Sequence, residues 1–247
     1  MAGDNLILET DFDFLFGGED ASWIHAMTVD VLARLARLDT AAVSDALDRL
    51  GLDGAILGLR PVSGSGRIVG TAVTVLLGPA DGQAPSRHLA SAAIETAGPN
   101  QIIVVANEGR QDCACWGGTL SLASRLRGIE GAILDGASRD VVEAEGLGFP
   151  VFARGTVQRA ARGRVREIGW NVPVTVAGVG VEPGDLIIAD TDGVDVIAKS
   201  HVEAVVAAAE AIVAREALMA EALRAGRPVS DVMGADYEAL LRLRPPG

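Results

Sequence analysis

The chain has 247 residues, 49% of them hydrophobic but only 4% aromatic, enough to bury a mainly aliphatic core in one large domain with appended helices. Its formal charge of −12 sets up a field that repels nucleic acid and anionic membrane, so neither is an expected partner, and a site for an acidic ligand must be made positive locally. The two cysteines are a single residue apart, no charged and apolar leader opens the chain, and no uninterrupted apolar run reaches membrane-spanning length, so a cytoplasmic protein without disulfides is expected.

Residues 1–27 read as an N-terminal extension or arm, in which Asp11-Phe12-Asp13-Phe14-Leu15-Phe16 alternates acidic and apolar side chains; an edge strand and an unstructured tail are both open there. From Thr28 onward, Val31, Leu32, Leu35 and Leu38 recur at helical spacing, and Asp39-Thr40 offers an N-cap for a second helix that runs to Leu50 and stops at Gly51. The β-branched run from Ile68 to Leu77 predicts a buried strand, residues 85–97 a helix, and Gln101 to Ala106 a further strand. A loop from Gly109 to Trp116 is expected to lead into a helix from about Thr119 to Arg127, with a strand from Gly131 to Asp135, a helix ending near Gly146 and a strand from Val151 to Ala153 after it. Such alternation argues for an α/β core with parallel strands.

Between Val172 and Ala198 the pattern changes. Val174–Val176, Gly178–Val181, Leu186–Ala189 and Val194–Ile197 are short apolar runs, parted in two places by the turn sequences Glu182-Pro183-Gly184-Asp185 and Asp190-Thr191-Asp192-Gly193, which predicts antiparallel strands and a mixed sheet. An Ala-rich amphipathic helix is expected from His201 to about Ala225, with residues 226–247 as a C-terminal tail containing one short element.

Several local motifs carry less than they suggest. Asp190-x-Asp192-Gly193 lacks the further acids of a calcium loop and reads as a turn, and Cys113-x-Cys115 lacks a second ligand pair for zinc. His25, His88 and His201 are scattered with no nucleophile beside them, while Gly64-x-Gly66 and Gly178-x-Gly180 lack the strand-to-helix context of a dinucleotide site and read as turns. The chemistry concentrates instead in Trp116-Gly117-Gly118-Thr119-Leu120 and, one helix later, Gly136-Ala137-Ser138-Arg139-Asp140. A glycine loop at a helix start presents amide N–H groups to an anion, arginine grips a carboxylate with two parallel bonds, and aspartate holds a hard divalent ion. Together these are the requirements of a small 2-oxo acid, whose carboxylate needs a clamp and whose oxo group needs a Lewis acid if an enolate is to form.

These motifs, followed in order by Gly148-Phe149-Pro150-Val151-Phe152-Ala153-Arg154-Gly155, Asn171-Val172-Pro173-Val174, Val181-x-Pro183-Gly184-Asp185 and Ala189-Asp190-x-Asp192-Gly193-Val194, resemble the RraA-like family over about residues 28–225. That family includes the 4-hydroxy-4-methyl-2-oxoglutarate/4-carboxy-4-hydroxy-2-oxoadipate aldolases and the regulator of ribonuclease E activity A. The resemblance implies a mixed-sheet α/β/β swivelling-type (phosphohistidine-domain-like) core with N- and C-terminal helices, in a homotrimer or homohexamer with sites between subunits. For the aldolase branch it implies Mg²⁺- or Mn²⁺-dependent cleavage of a C–C bond through a pyruvate enolate, with oxaloacetate decarboxylation as a second activity; for the regulator branch it implies non-catalytic binding of a protein partner.

Carried over by position, the resemblance gives Arg139 the substrate carboxylate, Asp140 the metal, and Gly117, Gly118, Thr119 and Leu120 the amides around the ligand. Gly118, with 20 residues between it and Arg139, stands where the aldolases carry an acid, and Cys115, Asp112 or a water are the local substitutes. A second family acid on the C-terminal helix, which reaches a neighbouring subunit's site, falls near Glu216.

Overall fold

A computed structural model describes residues 30–82 and 87–234. The arm expected over residues 1–27, His25 and the far end of the tail lie outside them. A helical stretch over residues 30–35 leads to α1 (Thr40–Leu50), which begins and ends on the signals in its sequence: the Asp39 carboxylate accepts the Ala42 N–H at 2.8 Å, and Gly51 closes the helix at φ 67°, where an L side chain is disfavoured. Val43, Ala46 and Leu47 on its inner face pack against the long helix α5 (Val202–Arg224), together with Val205, Val206 and Ala209. Arg34 ties the first helical stretch to that same helix through Glu203 and Glu210, each at 2.8 Å.

A nine-stranded mixed sheet forms the centre. Its strands are β1 (Ala55–Ile56), β2 (Arg60–Ser63), β3 (Ile68–Pro79), β4 (Gln101–Trp116), β5 (Gly131–Ser138), β6 (Val151–Thr156), β7 (Val165–Trp170), β10 (Leu186–Ala189) and β11 (Val194–Ile197), while β8 (Val174–Val176) and β9 (Val179–Val181) make a separate hairpin. The order is β1-β11-β10-β3-β4-β5-β6-β2, parallel from β3 to β6 and antiparallel at both margins, with β7 added antiparallel to the far half of β3.

Strand periodicity divides the core into layers. Ile103, Val105, Ala132, Leu134, Val151 and Ala153 point to one face, under α2 (Ser91–Thr96), α3 (Gly118–Leu126) and α4 (Val141–Gly146). Ile102, Val104, Ile133 and Phe152 point to the other and meet Val174, Val176 and Val181 of the hairpin. Each parallel strand is covered on both faces, which is why its sequence is a continuous apolar run. Among the described residues no helix is long and apolar enough to cross a membrane.

Two expectations from the sequence change. Of the helix expected over residues 85–97, residues 85 and 86 lie outside the described residues, and the described helix spans Ser91–Thr96, starting after Ala90 at φ 60°. The expected loop from Gly109 to Trp116 is instead the second half of β4, which stays paired to β5 through register shifts between Ala106 and Arg110, Arg110 and Ala114, and Ala114 and Trp116. Those bulges push Glu108 and Gln111-Asp112 outward while Cys113, Ala114, Cys115 and Trp116 return to the core. Strands β1, β2 and β7 had no clear signal, being short or weakly alternating. The remaining turn readings stand: Gly64, Gly66 and Gly178 all have positive φ, and Asp190 sits in a turn where it accepts the Thr40 N–H at 3.0 Å and the Asp192 N–H at 3.0 Å.

Candidate active site

The two sequence motifs meet because β4 and β5 end side by side. Trp116, the last residue of β4, accepts the Arg139 N–H on its carbonyl oxygen at 3.1 Å, and its indole N–H donates to Ser121 Oγ at 2.9 Å. The indole is buried and stacks on Phe149 with 6.3 Å between ring centroids, which makes a rigid floor. Beyond it the chain turns at Gly117 into α3. The Asp140 Oδ2 atom lies 3.3 Å from Arg139 Nε and accepts the Gly118 N–H at 3.2 Å. Asp140 itself has φ 58°, a conformation costing on the order of 1–2 kcal/mol for a non-glycine residue, and it is held there by the start of α4, whose Glu143 and Ala144 amides donate to its carbonyl oxygen.

Both glycines of the loop leave space that neighbouring side chains occupy. A Cβ on Gly117 would stand 2.9 Å from Asp140 Oδ2 and 3.4 Å from Arg139 Cγ, and one on Gly118 would fall on the carboxylate of Glu143. Glu143 therefore fills the volume that a side chain at residue 118 would take. The suggested local substitutes do not: Asp112 is exposed and paired with Arg110 at 2.9 and 3.0 Å, which holds it below the ordinary carboxylate range, and burial pushes the Cys115 thiol up to about 12. Glu143 follows Asp140 by three residues on one helix face, a spacing that could have identified it.

The amides expected to meet an anion are only partly available. Gly118 N–H is engaged by Asp140 and Leu120 N–H turns back to the Gly117 carbonyl at 3.1 Å, so of these three Thr119 N–H alone has no acceptor among the described residues. Glu216 is exposed on α5, which packs on α1 in a different core cluster, and it does not line this site within one chain.

Around this floor opens a cavity of about 530 Å³, lined by Trp116 to Leu120, Arg139 and Asp140 and also by Arg87, His88, Arg162 and Arg166. The volume lies in the range typical of small-molecule sites. Four arginines and one carboxylate line it; Arg87, Arg139 and Arg166 lie within 3.5 Å of Glu167, Asp140 and Asp81 respectively, and Arg162 has no acidic partner among the described residues. Arg87, Arg162 and Arg166 were not legible in the sequence because they reach the cavity from segments distant from the glycine loop. As for a metal, Asp140 and Glu143 are adjacent oxygen donors suited to Mg²⁺ or Mn²⁺, and no group of three or more His, Cys, Asp or Glu ligands occurs among the described residues. That donor set fits an ion that keeps most of its water and takes one or two carboxylates from the protein.

The family model for RraA-like proteins, described as Aldolase/RraA, matches residues 40–196. The chain is 33% identical over 177 residues to protein DlpA of Legionella pneumophila, an alignment covering 72% of this chain and only 29% of that protein, so it spans less than a third of that relative's length. It is 34% identical over 175 residues to a Halalkalibacterium halodurans protein named "Putative 4-hydroxy-4-methyl-2-oxoglutarate aldolase", covering 71% of this chain and 80% of the relative. Among solved structures, Streptomyces coelicolor RraAS2, described as an unusual member of the RNase ES inhibitor RraA protein family, superposes with a TM-score of 0.70 at 27% identity over 76% of this chain and 94% of that one.

Proposed function

The chain belongs to the RraA-like family, and from that premise we propose that it is a divalent-metal-dependent lyase that cleaves a C–C bond of a small 2-oxo acid, in the manner of a 4-hydroxy-4-methyl-2-oxoglutarate aldolase. The observation that carries the reading is the meeting of Arg139 and Asp140 with the Gly117-Gly118 turn in the wall of a cavity, with the Glu143 carboxylate beside Gly118.

Arg139 takes the substrate carboxylate, with the Thr119 N–H as a second donor, and so fixes the 2-oxo group over the Asp140 side chain. Asp140 and Glu143 would hold Mg²⁺ or Mn²⁺, which when bound supplies Lewis-acid stabilisation of the charge developing on the 2-oxo oxygen. Glu143 accepts the proton of the C4 hydroxyl as the C3–C4 bond breaks; the C4 fragment leaves as a carbonyl compound and the bond pair becomes the pyruvate enolate. The same carboxyl returns the proton to C3, which completes pyruvate. Oxaloacetate reaches the same enolate by losing CO₂ from its C4 carboxylate, with no hydroxyl proton to remove, so the proton added to C3 is drawn from solvent. Trp116 and its stack on Phe149 keep the floor apolar and water-poor beneath the reacting carbons. We further assign the core to the swivelling-type α/β/β class and its working state to a homotrimer or homohexamer, with Glu216 reaching a neighbouring site.

A non-catalytic regulator, the alternative suggested by the Streptomyces relative's membership of an RNase ES inhibitor family, has no use for an arginine and a carboxylate gathered in a cavity at a glycine turn, which favours the lyase. The test is pyruvate release from 4-hydroxy-4-methyl-2-oxoglutarate and oxaloacetate, with and without Mg²⁺ or Mn²⁺. Turnover that requires the ion and is abolished in Asp140→Ala supports the lyase; turnover no higher than that of Asp140→Ala rejects it.

A further inference from the structure

Decarboxylation and aldol cleavage differ in their proton balance. The aldol step frees a hydroxyl proton that Glu143 can return to C3, whereas loss of CO₂ leaves an enolate and no proton, and a carboxylate that has received none has none to give. A donor in contact with both the cavity and solvent is therefore needed. Few of the lining groups can serve. Arginine stays protonated, Asp140 is engaged by Arg139 and the Gly118 N–H, and Cys115 is buried. His88 lines the same cavity and is exposed.

The backbone holds His88 in place. Its carbonyl oxygen accepts the Ser91 hydroxyl at 2.8 Å and the Ser91 N–H at 3.3 Å, while the buried Ala90, at φ 60°, gives its N–H to Glu167 at 2.8 Å. Arg87, on the other side, lies 3.5 Å from that same Glu167 of β7, which sets His88 in the wall that carries Arg87, Arg162 and Arg166. The ring is tied as well. Nδ1 stands 3.1 Å from the Leu89 carbonyl oxygen, which can only accept, so Nδ1 carries a hydrogen and Nε2 is the nitrogen left to gain and lose a proton. Resting on the lyase reading above, we propose that His88 carries the solvent proton to C3 of the enolate. The Nε2–H bond of the imidazolium breaks and its electron pair stays on nitrogen; the enolate pair forms the new C3–H bond as the 2-oxo group is restored, and water reprotonates Nε2. Imidazole suits the task because it both gives and takes a proton near neutral pH. Run backwards, the same step draws a methyl proton from pyruvate and trades it with solvent.

The test follows that backward step by proton NMR, as loss of the pyruvate methyl signal in D₂O with Mg²⁺, beside pyruvate release from 4-hydroxy-4-methyl-2-oxoglutarate, for the full chain and two variants. In His88→Asn the side-chain amide can still donate to the Leu89 carbonyl but the exchanging nitrogen is gone, and the ratio of exchange to release is expected to fall about 10-fold or more. In His88→Ala exchange should fall likewise, and imidazole added to the medium should restore part of it by entering the vacated space. An unchanged ratio in His88→Asn, exchange in His88→Ala that imidazole leaves untouched, or a parent chain that releases pyruvate without exchanging its methyl protons overturns the relay and leaves the lyase standing. A parent chain with neither reaction rejects the lyase and the relay with it, so the two failures are distinct.

Discussion

The carboxylate of Glu143 stands where the Cβ of any side chain at residue 118 would stand, one helical turn beyond Asp140. An acid supplied from α4 thus occupies the place that an acid on the glycine loop would otherwise fill. Glu143→Ala should lower metal-dependent pyruvate release by about 10- to 100-fold, the usual effect of losing a residue that organises a metal site. Gly118→Asp alone should also be impaired, since two carboxylates then compete for one volume. The double variant Gly118→Asp/Glu143→Ala should recover part of the rate, and activity no better than that of either single variant would refute the exchange.

Asp195 is buried on β11 with no hydrogen-bond partner for Oδ2 among the described residues, and burial, reinforced by Asp190 and Asp48, pushes its carboxyl up to about 7. The folded chain therefore holds this proton more tightly than the unfolded one. The stability it contributes is fully present below the ordinary aspartate range, near pH 4, and is lost as pH rises through about 7. Asp195→Asn should flatten this slope and raise stability at pH 8 by about 1–3 kcal/mol. Urea denaturation at pH 5 and pH 8 reads it; an unchanged difference between the two pH values contradicts the assignment.

Arg154 donates to Asp135 at 2.6 Å, and the second oxygen of that buried carboxylate takes the Ala177 N–H at 3.2 Å, joining β5, β6 and the β8–β9 hairpin. Arg154→Leu leaves the acid unpaired and should destabilise the fold by about 2–4 kcal/mol. Adding Asp135→Asn should restore more than half of the loss, since a neutral amide in that place is far cheaper to bury. Thermal or urea unfolding of the two variants decides the matter.

A Cβ on Gly136 would lie 2.9 Å from Asn107 Nδ2, 3.1 Å from the Arg110 carbonyl and 3.1 Å from Cys115 Sγ. Gly136→Ala should therefore destabilise the chain by about 1–3 kcal/mol through overpacking and shift Arg139, three residues on. An increased KM for the 2-oxo acid together with a lowered melting temperature is the expected pairing; a change in neither shows that the bulged strand yields freely.

The parallel strands, α1 and the meeting of the glycine loop with Arg139-Asp140 were legible because each rests on short-range rules: continuous apolar runs, an aspartate cap with a closing glycine, a helix start. The second half of β4 was not, since its bulges break the alternation that marks a strand and Gly109 with Asp112 imitates a loop. Glu143 lay within reach, three residues from Asp140, but its role depends on how α4 is set against α3, which no local pattern reports. The three wall arginines come from separate segments and meet only through tertiary folding. Among the described residues the expected helix is interrupted at Ala90, whose left-handed backbone accompanies donation of its N–H to the Glu167 carboxylate.

The stack of Trp116 on Phe149 ties the floor of the cavity to the most deeply covered strands, whereas the arginine wall rises from a turn and an exposed strand face. Floor and wall are therefore expected to open at different free energies, with amides at the buried end of β4 exchanging more slowly with solvent than those around exposed Arg162. Substitutions at exposed Arg162 and Arg166 can accordingly accumulate without disturbing the Trp116–Phe149 floor or the stability it lends the domain.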